Sequence, residues 1–322
     1  MKRRTLLAAA LGAPAYLPTV SRAQQFPNRP IRMVLPSSVG GSADAMMRAL
    51  AEPMRKVLGQ PVICENRPGA SGAMGTADIA RADPDGHTIA FIWSGPMSVV
   101  PLLKPNTPYD PLRDFTPISL VGAAPGAILA HPSMPGTPKA FIEYVRGLPN
   151  GIEAGNAGVG SPGHLWAQMF AQRAGLKILH VPYKGTSDAV PPLVAGELKM
   201  IFSTTSAAYT NLAKAGKIRI VAVASEKPSP LVPGVETLAS VLPGFEAEVW
   251  YGIMGPRGLP DEVARKLNQA VVTAMADPEV QQKYVDNSVA PFSTTQQGMQ
   301  QRVVREYELW KGLLRDGVIK AE

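Results

Sequence analysis

Residues 31–59 read as a buried strand, a glycine turn and a core-facing helix that follow one another without a gap, and this run constrains the fold more than any other stretch. Ile31, Met33, Val34 and Leu35 supply the apolar strand, and Gly40-Gly41-Ser42 closes the turn. From about Ala43 onward, Met47, Leu50, Ala51, Met54, Val57 and Leu58 recur at the 3.6-residue spacing of one helix face. Gly59 is the stop signal. A helix that begins at a strand tip points free N–H groups, and about half a positive charge of macrodipole, into the space above the sheet edge. Such a place suits an anion. The loop holds no nucleophile with a base beside it, so the residues point to capture of an acidic small molecule and not to chemistry on one.

The alternation continues. A second strand at 62–65 leads through Asn66-Arg67-Pro68-Gly69-Ala70-Ser71-Gly72 into a helix ending near Arg81, and Asp83-Pro84-Asp85-Gly86 forms a sharp turn before a third strand at 88–93. That strand is apolar along its length and is expected to be central. Strands alternating with helices predict an α/β fold with a parallel or mixed sheet covered on both faces. Residues 101–125 are rich in proline and polar turns and read as a connection across a domain boundary. A second alternating set occupies 127–224, in which Pro191-Pro192, like Pro53 earlier, is expected to bend or interrupt a helix.

After a loop-rich stretch at 228–244, the chain makes one more strand at 247–254 and then three helices. In the last of these Met299, Val303, Tyr307, Trp310 and Leu314 share a face. Three helices with one strand cannot readily make a sheet domain alone, so they are expected to return to the first. The expected division is a leader at 1–23, a first lobe of 26–124 plus 245–322, and a second lobe of 125–244, with a cleft between the lobes.

The leader reading rests on Lys2, Arg3 and Arg4 ahead of an apolar stretch at 6–17, with Ser21-Arg22-Ala23 as a cleavage site. Arg3-Arg4-Thr5-Leu6-Leu7 leaves the general and the twin-arginine export routes both open. The stretch is broken by Gly12, Pro14 and Pro18 and falls short of the roughly 20 apolar residues of a membrane span. Without Lys2, Arg3, Arg4 and Arg22, the 32 basic residues become 28 against 25 acidic ones, so the formal charge drops from +7 to near +3. With no basic run, nucleic acid is not an expected partner. Cys64 is the one cysteine and is expected to be a buried strand residue, which rules out an internal disulfide. His87, His131, His164 and His180 show no metal-ligand spacing. Neither a metal nor a cofactor is expected.

A second glycine-rich loop, Gly155-Asn156-Ala157-Gly158-Val159-Gly160-Ser161-Pro162-Gly163-His164, also follows a strand and opens a helix. Residues 158–163 satisfy G-x-G-x-x-G, but after the next strand Pro182-Tyr183-Lys184-Gly185 offers no acid for a ribose. Two readings stand beside each other: ordinary cap-and-turn chemistry, with Ser161 as cap and Pro162 in the first turn, and anion capture by loop N–H groups. Should the lobes face each other, both helix N-termini converge on the cleft. The expected ligand-binding set is Ser37, Ser38, Val39, Gly40, Gly41, Ser42, Asp44, Ser94, Asn156, Gly158, Gly160, Ser161, His164, Tyr183, Lys184, Gly185 and Thr204. Asp44 also has the plain alternative of serving its own helix start. No G-x-S-x-G elbow and no Ser-His-acid spacing is present, so no catalytic residue is assigned.

These residues carry a family resemblance. From Phe26-Pro27-Asn28-Arg29-Pro30-Ile31 onward the chain resembles the Bug solute-binding proteins, the extracytoplasmic receptors of tripartite tricarboxylate transporters. The matching stretches are Gly40-Gly41-Ser42-Ala43-Asp44, Glu65-Asn66-Arg67-Pro68-Gly69-Ala70, Asp83-Pro84-Asp85-Gly86, Tyr109-Asp110-Pro111-Leu112-Arg113-Asp114-Phe115, His180-Val181-Pro182-Tyr183-Lys184-Gly185 and Leu259-Pro260. The resemblance implies a two-lobed periplasmic-binding-protein fold of the type II kind, each lobe a mixed sheet flanked by helices. It also implies a carboxylate held in the cleft by backbone N–H groups and ordered water. The first loop (Pro36-Ser37-Ser38-Val39), the approach to the second (Ala154-Gly155-Asn156) and Ser203-Thr204-Thr205 depart from the family pattern, so no relative's ligand carries over. The implied function is a periplasmic receptor, monomeric and not an enzyme, that delivers a small organic acid to a membrane permease. The alternatives are a receptor used for sensing or scavenging without a dedicated permease, and an exported hydrolase.

Overall fold

The computed structural model describes residues 26–317 except 105, 159, 160 and 184. The leader, Gly160 and Lys184 therefore lie outside the described residues. In chain order the elements are β1 (Ile31–Leu35), α1 (Ser42–Leu58), β2 (Val62–Asn66), α2 (Ala73–Ala80), β3 (Thr88–Trp93), α3 (Val100–Leu103) and β4 (Phe115–Ala130). There follow α4 (Pro138–Arg146), β5 (Ile152–Asn156), α5 (Pro162–Ala174), β6 (Ile178–Pro182), α6 (Val190–Ala195), β7 (Met200–Thr204), α7 (Ala207–Lys214) and β8 (Arg219–Val223). The chain closes with β9 (Glu248–Pro256), α8 (Asp261–Met275), α9 (Pro278–Asp286), β10 (Ala290–Pro291) and α10 (Gln296–Arg315).

The strands run in the order β2-β1-β3-β9-β4-β7-β5-β6, with β10 and β8 also paired to β4. β1 lies parallel to β2 and β3, while β9 is antiparallel to both β3 and β4. On the far side β7 and β8 are antiparallel to β4, and β5 is parallel to β6 and β7. Both halves are thus mixed sheets covered by helices, and the fold is two-lobed.

β4 differs from the reading of 101–125 as a connection. Residues 115–125 pair with β9, and 126–130 of the same unbroken strand pair with β7. Pro117 lies where the register shifts against β9, a position at which the ladder does not require its missing N–H. The prolines that look like loop residues in sequence are absorbed by an irregular strand.

α1 buries Met46, Met47, Leu50, Met54 and Leu58 against α8 and α9, and each such side chain stabilises by about 1.5–3 kcal/mol when fully buried. Gly59 ends it in the left-handed conformation (φ 72°), with its N–H on the Arg55 carbonyl. Val57 is turned to solvent at 40% exposure, one position off the buried stripe. Pro53 is accommodated within α1. Pro191 and Pro192 occupy the first turn of the short α6, where a missing N–H costs nothing. Cys64 is half-buried, since β2 is an edge strand with Ile63 exposed. Burial raises the pKa of its thiol.

Candidate functional site

Three loops leave the carboxyl ends of β1, β2 and β3, the place where open α/β sheets bind ligands. Together with the start of α5, the crossing strand β9 and the far half of α10, they enclose a cavity of about 880 Å³. Of the sequence-predicted residues, its wall carries Ser37, Ser38, Gly41, Ser42, Ser94 and Ser161.

The two helix N-termini are not equivalent. At α1 the cap residue is Gly41, in extended conformation with no side-chain hydrogen bond, so no side chain occupies the first-turn N–H groups. At α5 Ser161 Oγ accepts the His164 N–H at 3.4 Å and Pro162 has no N–H to give. Ser161 Oγ also donates to the Gly158 carbonyl at 2.7 Å. Cap chemistry at α5 uses up donors that α1 leaves open.

A third loop, Gly69-Ala70-Ser71-Gly72, has positive φ at four consecutive residues (139°, 47°, 56° and 92°). Left-handed backbone at Ala70 and Ser71 is costly for residues with a Cβ, and such strain gathers at ligand clamps. Gly72 needs its lack of a side chain: a Cβ there would stand 2.8 Å from Pro96 Cγ. After β3, a π-helical turn at Gly95–Val99 is tied down by the Tyr109 hydroxyl, which donates to the Pro96 carbonyl at 2.7 Å.

The other described residues of the predicted set lie off the wall. Val39 faces solvent at 71% exposure. Asp44 is buried beneath the first loop, where Oδ2 accepts the Gly40 N–H at 3.0 Å and Oδ1 pairs with Arg48. Burial works to raise its pKa, but hydrogen bonds from Arg48, Gly40 and Asn66 outweigh this and hold the carboxyl below its usual range. Asn156 is buried and turns the second loop by accepting the Gly158 N–H at 2.9 Å. His164 stacks edge-on against His180 with ring centroids 4.5 Å apart. Burial lowers both pKa values, the neighbouring ring adding to the effect at His180, so neither supplies a cation at neutral pH. Tyr183 gives its N–H to the Asn156 carbonyl at 2.8 Å, Gly185 accepts the Asp188 N–H, and Thr204 pairs with Gly126 in the β7–β4 ladder.

Sequence reasoning missed much of the rest of the lining, which includes Trp93, Trp166, Tyr251, Trp310 and two acids, Glu248 and Glu306. α10 buries Met299, Val303, Glu306, Trp310 and Leu313, a four-three spacing with an acid in the middle. The expected Tyr307 lies beside this stripe. Both oxygens of Glu306 are taken by indoles: Trp250 Nε1–H donates to one and Trp310 Nε1–H to the other at 3.2 Å. Arg302 stands between Glu246, Glu248 and Glu306, and Arg305 also pairs with Glu246. Burial first, then the charge on Glu306, pushes the Glu248 carboxyl up to about 7. Among the described lining residues Lys104 is the one basic side chain.

The family model of the tripartite tricarboxylate transporter family receptor, TctC, matches residues 46–317. The chain belongs to this family. BugT of Bordetella pertussis (strain Tohama I) is 31% identical over 318 residues, covering 97% of this chain and 97% of BugT. Among solved structures, a TctC solute-binding protein from Polaromonas, without ligand, is 27% identical at a TM-score of 0.82, over 90% of this chain and 99% of that one. A protein of R. palustris solved with adipate is 28% identical at a TM-score of 0.70, over 92% of this chain and 100% of that one. The TctC receptor is thus a solute-binding protein of a transporter system, and no helix among its described residues is long and apolar enough to cross a membrane.

Proposed function

We propose that this TctC receptor is exported with cleavage near Gln24, works as a monomer without enzymatic activity, and captures a small organic acid for a membrane permease of the tripartite tricarboxylate type. In this reading the lobes are 26–124 plus 245–322 and 125–244, and the ligand lies between them. The observation that carries it is the cavity at the strand carboxyl ends, with the uncapped α1 N-terminus and the hydroxyls of Ser37, Ser38, Ser42 and Ser94 on its wall. A carboxylate there meets backbone and hydroxyl donors and the positive end of a helix. The adipate seated in the R. palustris neighbour supports a carboxylate as the anionic group.

A thermal-shift screen of organic acids on the mature protein, followed by calorimetry on the hits, tests the reading. Micromolar or tighter binding of at least one carboxylate is expected, and a screen in which no carboxylate binds overturns it. Intact-mass measurement of the periplasmic fraction is expected to give a chain starting near Gln24. An uncleaved or cytoplasmic chain counts against export.

A further inference from the structure

Charge is divided unevenly along the chain. Residues 125–244 carry ten basic and six acidic side chains, while 26–124 and 245–322 together carry eighteen and nineteen. The pairing differs too. In the larger portion Arg29, Arg32, Arg55 and Arg81 each lie 2.5–2.8 Å from a carboxylate, whereas among the described residues of 125–244 no cation forms an ion pair.

The topology gathers these cations at one end. Ala130 is level with Met200 and Arg219, Ala154 with Met200, and Ile152 with Ile178, so β4 ends and β5 to β8 begin at one pole. The cavity lies the other way, beyond the carboxyl end of β5 at the start of α5. Arg173 and Lys214 reach the pole in the last turns of α5 and α7, and Lys177, Lys199, Lys217 and Arg219 where the chain enters β6, β7 and β8. Arg146 is held there by its bond to the Ala174 carbonyl at 2.9 Å. Against these seven stand Glu153 and Glu197, leaving a surplus of five, since Lys139 and Glu143 of α4 cancel.

Helix ends account for only part of this charge. Arg146, Arg173 and Lys214 sit in last turns, where each helix offers about half a negative charge, so α4, α5 and α7 offset roughly one and a half of the five. The hydrogen bonds of the group run to neutral carbonyls: besides Arg146, Arg173 donates to Pro243 at 2.8 Å, Lys199 to Gly196 at 2.6 Å and Arg219 to Met134 at 3.0 Å. They fix the side chains without neutralising them. Beside the cations lies a recess of about 420 Å³ whose wall combines Lys214 and Arg219 with Ile218, Ile220, Val232 and Val235. Such a wall suits a molecule with carbon next to its charge, which a bare polyanion lacks.

We infer that this pole is a docking surface for anionic phospholipid, with headgroup phosphates on the cations and glycerol carbons against the recess. Each basic residue near an anionic bilayer strengthens attachment about fivefold, so the uncompensated charge suffices for binding at moderate salt. Because the cavity is at the other end of these strands, attachment leaves it open. In the proposed role the contact would keep the receptor at the membrane that holds its permease, but the inference itself rests on the charges and the recess alone.

Co-sedimentation of the mature protein with vesicles tests it, using phosphatidylglycerol and phosphatidylethanolamine at about one to three and, as the neutral control, phosphatidylcholine. At about 0.1 M salt, where the Debye length is about 10 Å, binding to the anionic vesicles is expected to exceed binding to the neutral ones tenfold or more. At about 1 M salt it is expected to disappear. Lys214→Glu with Lys217→Glu, both exposed, should weaken partitioning tenfold or more. Lys56→Glu with Lys283→Glu, exposed residues of α1 and α9 that change the net charge equally, should alter it less than threefold, with circular dichroism showing both variants folded. Absence of binding to the anionic vesicles, binding that survives high salt, or equal losses in the two variants overturns the inference. Organic-acid affinity is expected to be unchanged in the first variant, so failure here leaves the carboxylate-receptor reading standing.

Discussion

Glu248 and Asp44 show how burial alone does not fix what a carboxylate does. Asp44 is held charged by the Gly40 N–H and the Arg48 guanidinium, and its lowered pKa means that its contribution is present above the unfolded value and lost as pH falls through the folded one. Asp44→Asn is expected to cost about 1–3 kcal/mol at neutral pH, read as a lower denaturation midpoint, because it breaks hydrogen bonds to a charged group and frees the first loop. Glu248 has the opposite sign. Its pKa is raised to about 7 by burial and by the neighbouring Glu306, against Arg305, with Glu226 adding repulsion. The unfolded chain ionises first on raising the pH from about 4.5, so stability falls from there to about pH 7 and then levels off. Glu248→Gln should remove that slope and be more stable than the wild type at pH 8, by at most about 3 kcal/mol. Urea unfolding of both proteins at pH 5 and pH 8 checks the sign, and a variant less stable at pH 8 contradicts it.

At the level of the element, the periodic segments were legible and the irregular ones were not. α1 could be read from its apolar spacing and the Gly59 stop, because an amphipathic helix on a core obeys one period. β4 was misread over residues 115–125, since register shifts let a strand tolerate prolines that normally mark loops. The Glu306 wall stayed hidden for a related reason: an acid was left out of an apolar stripe on charge alone, although Met299, Val303, Trp310 and Leu313 frame it at regular spacing. The loop at 69–72 carried a signal in its two glycines, but the positive φ of Ala70 and Ser71 is set by tertiary packing and cannot be read from residue type. The asymmetry of the two helix starts leads to a prediction. Gly41 has φ −81° and open space where a Cβ would go, so Gly41→Val is compatible with the fold. The added bulk would stand at the mouth of the uncapped N-terminus, and carboxylate affinity is expected to fall tenfold or more, about 1.4 kcal/mol, with an unchanged circular dichroism spectrum. Unchanged affinity would show that α1 is not the anion site.

Across the whole molecule, two lobes need not mean two folding units, because two elements are common to both halves. β4 pairs with β9 through residues 115–125 and with β7 and β8 through the rest, so neither half of the sheet is complete without it. α10 does the same with side chains: Met299 and Val303 pack in one core cluster, while Trp310 and Leu313 join Leu165, Trp166 and Phe245 in another. Loss of either half would expose the shared residues and leave half of β4 unpaired, which costs far more than the few kcal/mol that separate folded from unfolded chains. Calorimetry is therefore expected to give one endotherm whose van't Hoff and calorimetric enthalpies agree. Leu313 is the sharper probe, since it is 7% exposed and lies outside the cavity wall. Leu313→Ala should cost about 2–5 kcal/mol and move the whole endotherm down by about 2–4 °C for each of those kcal/mol, still as one peak. A split endotherm, with one component left at the wild-type temperature, would mean that the lobes unfold independently and that α10 does not couple them.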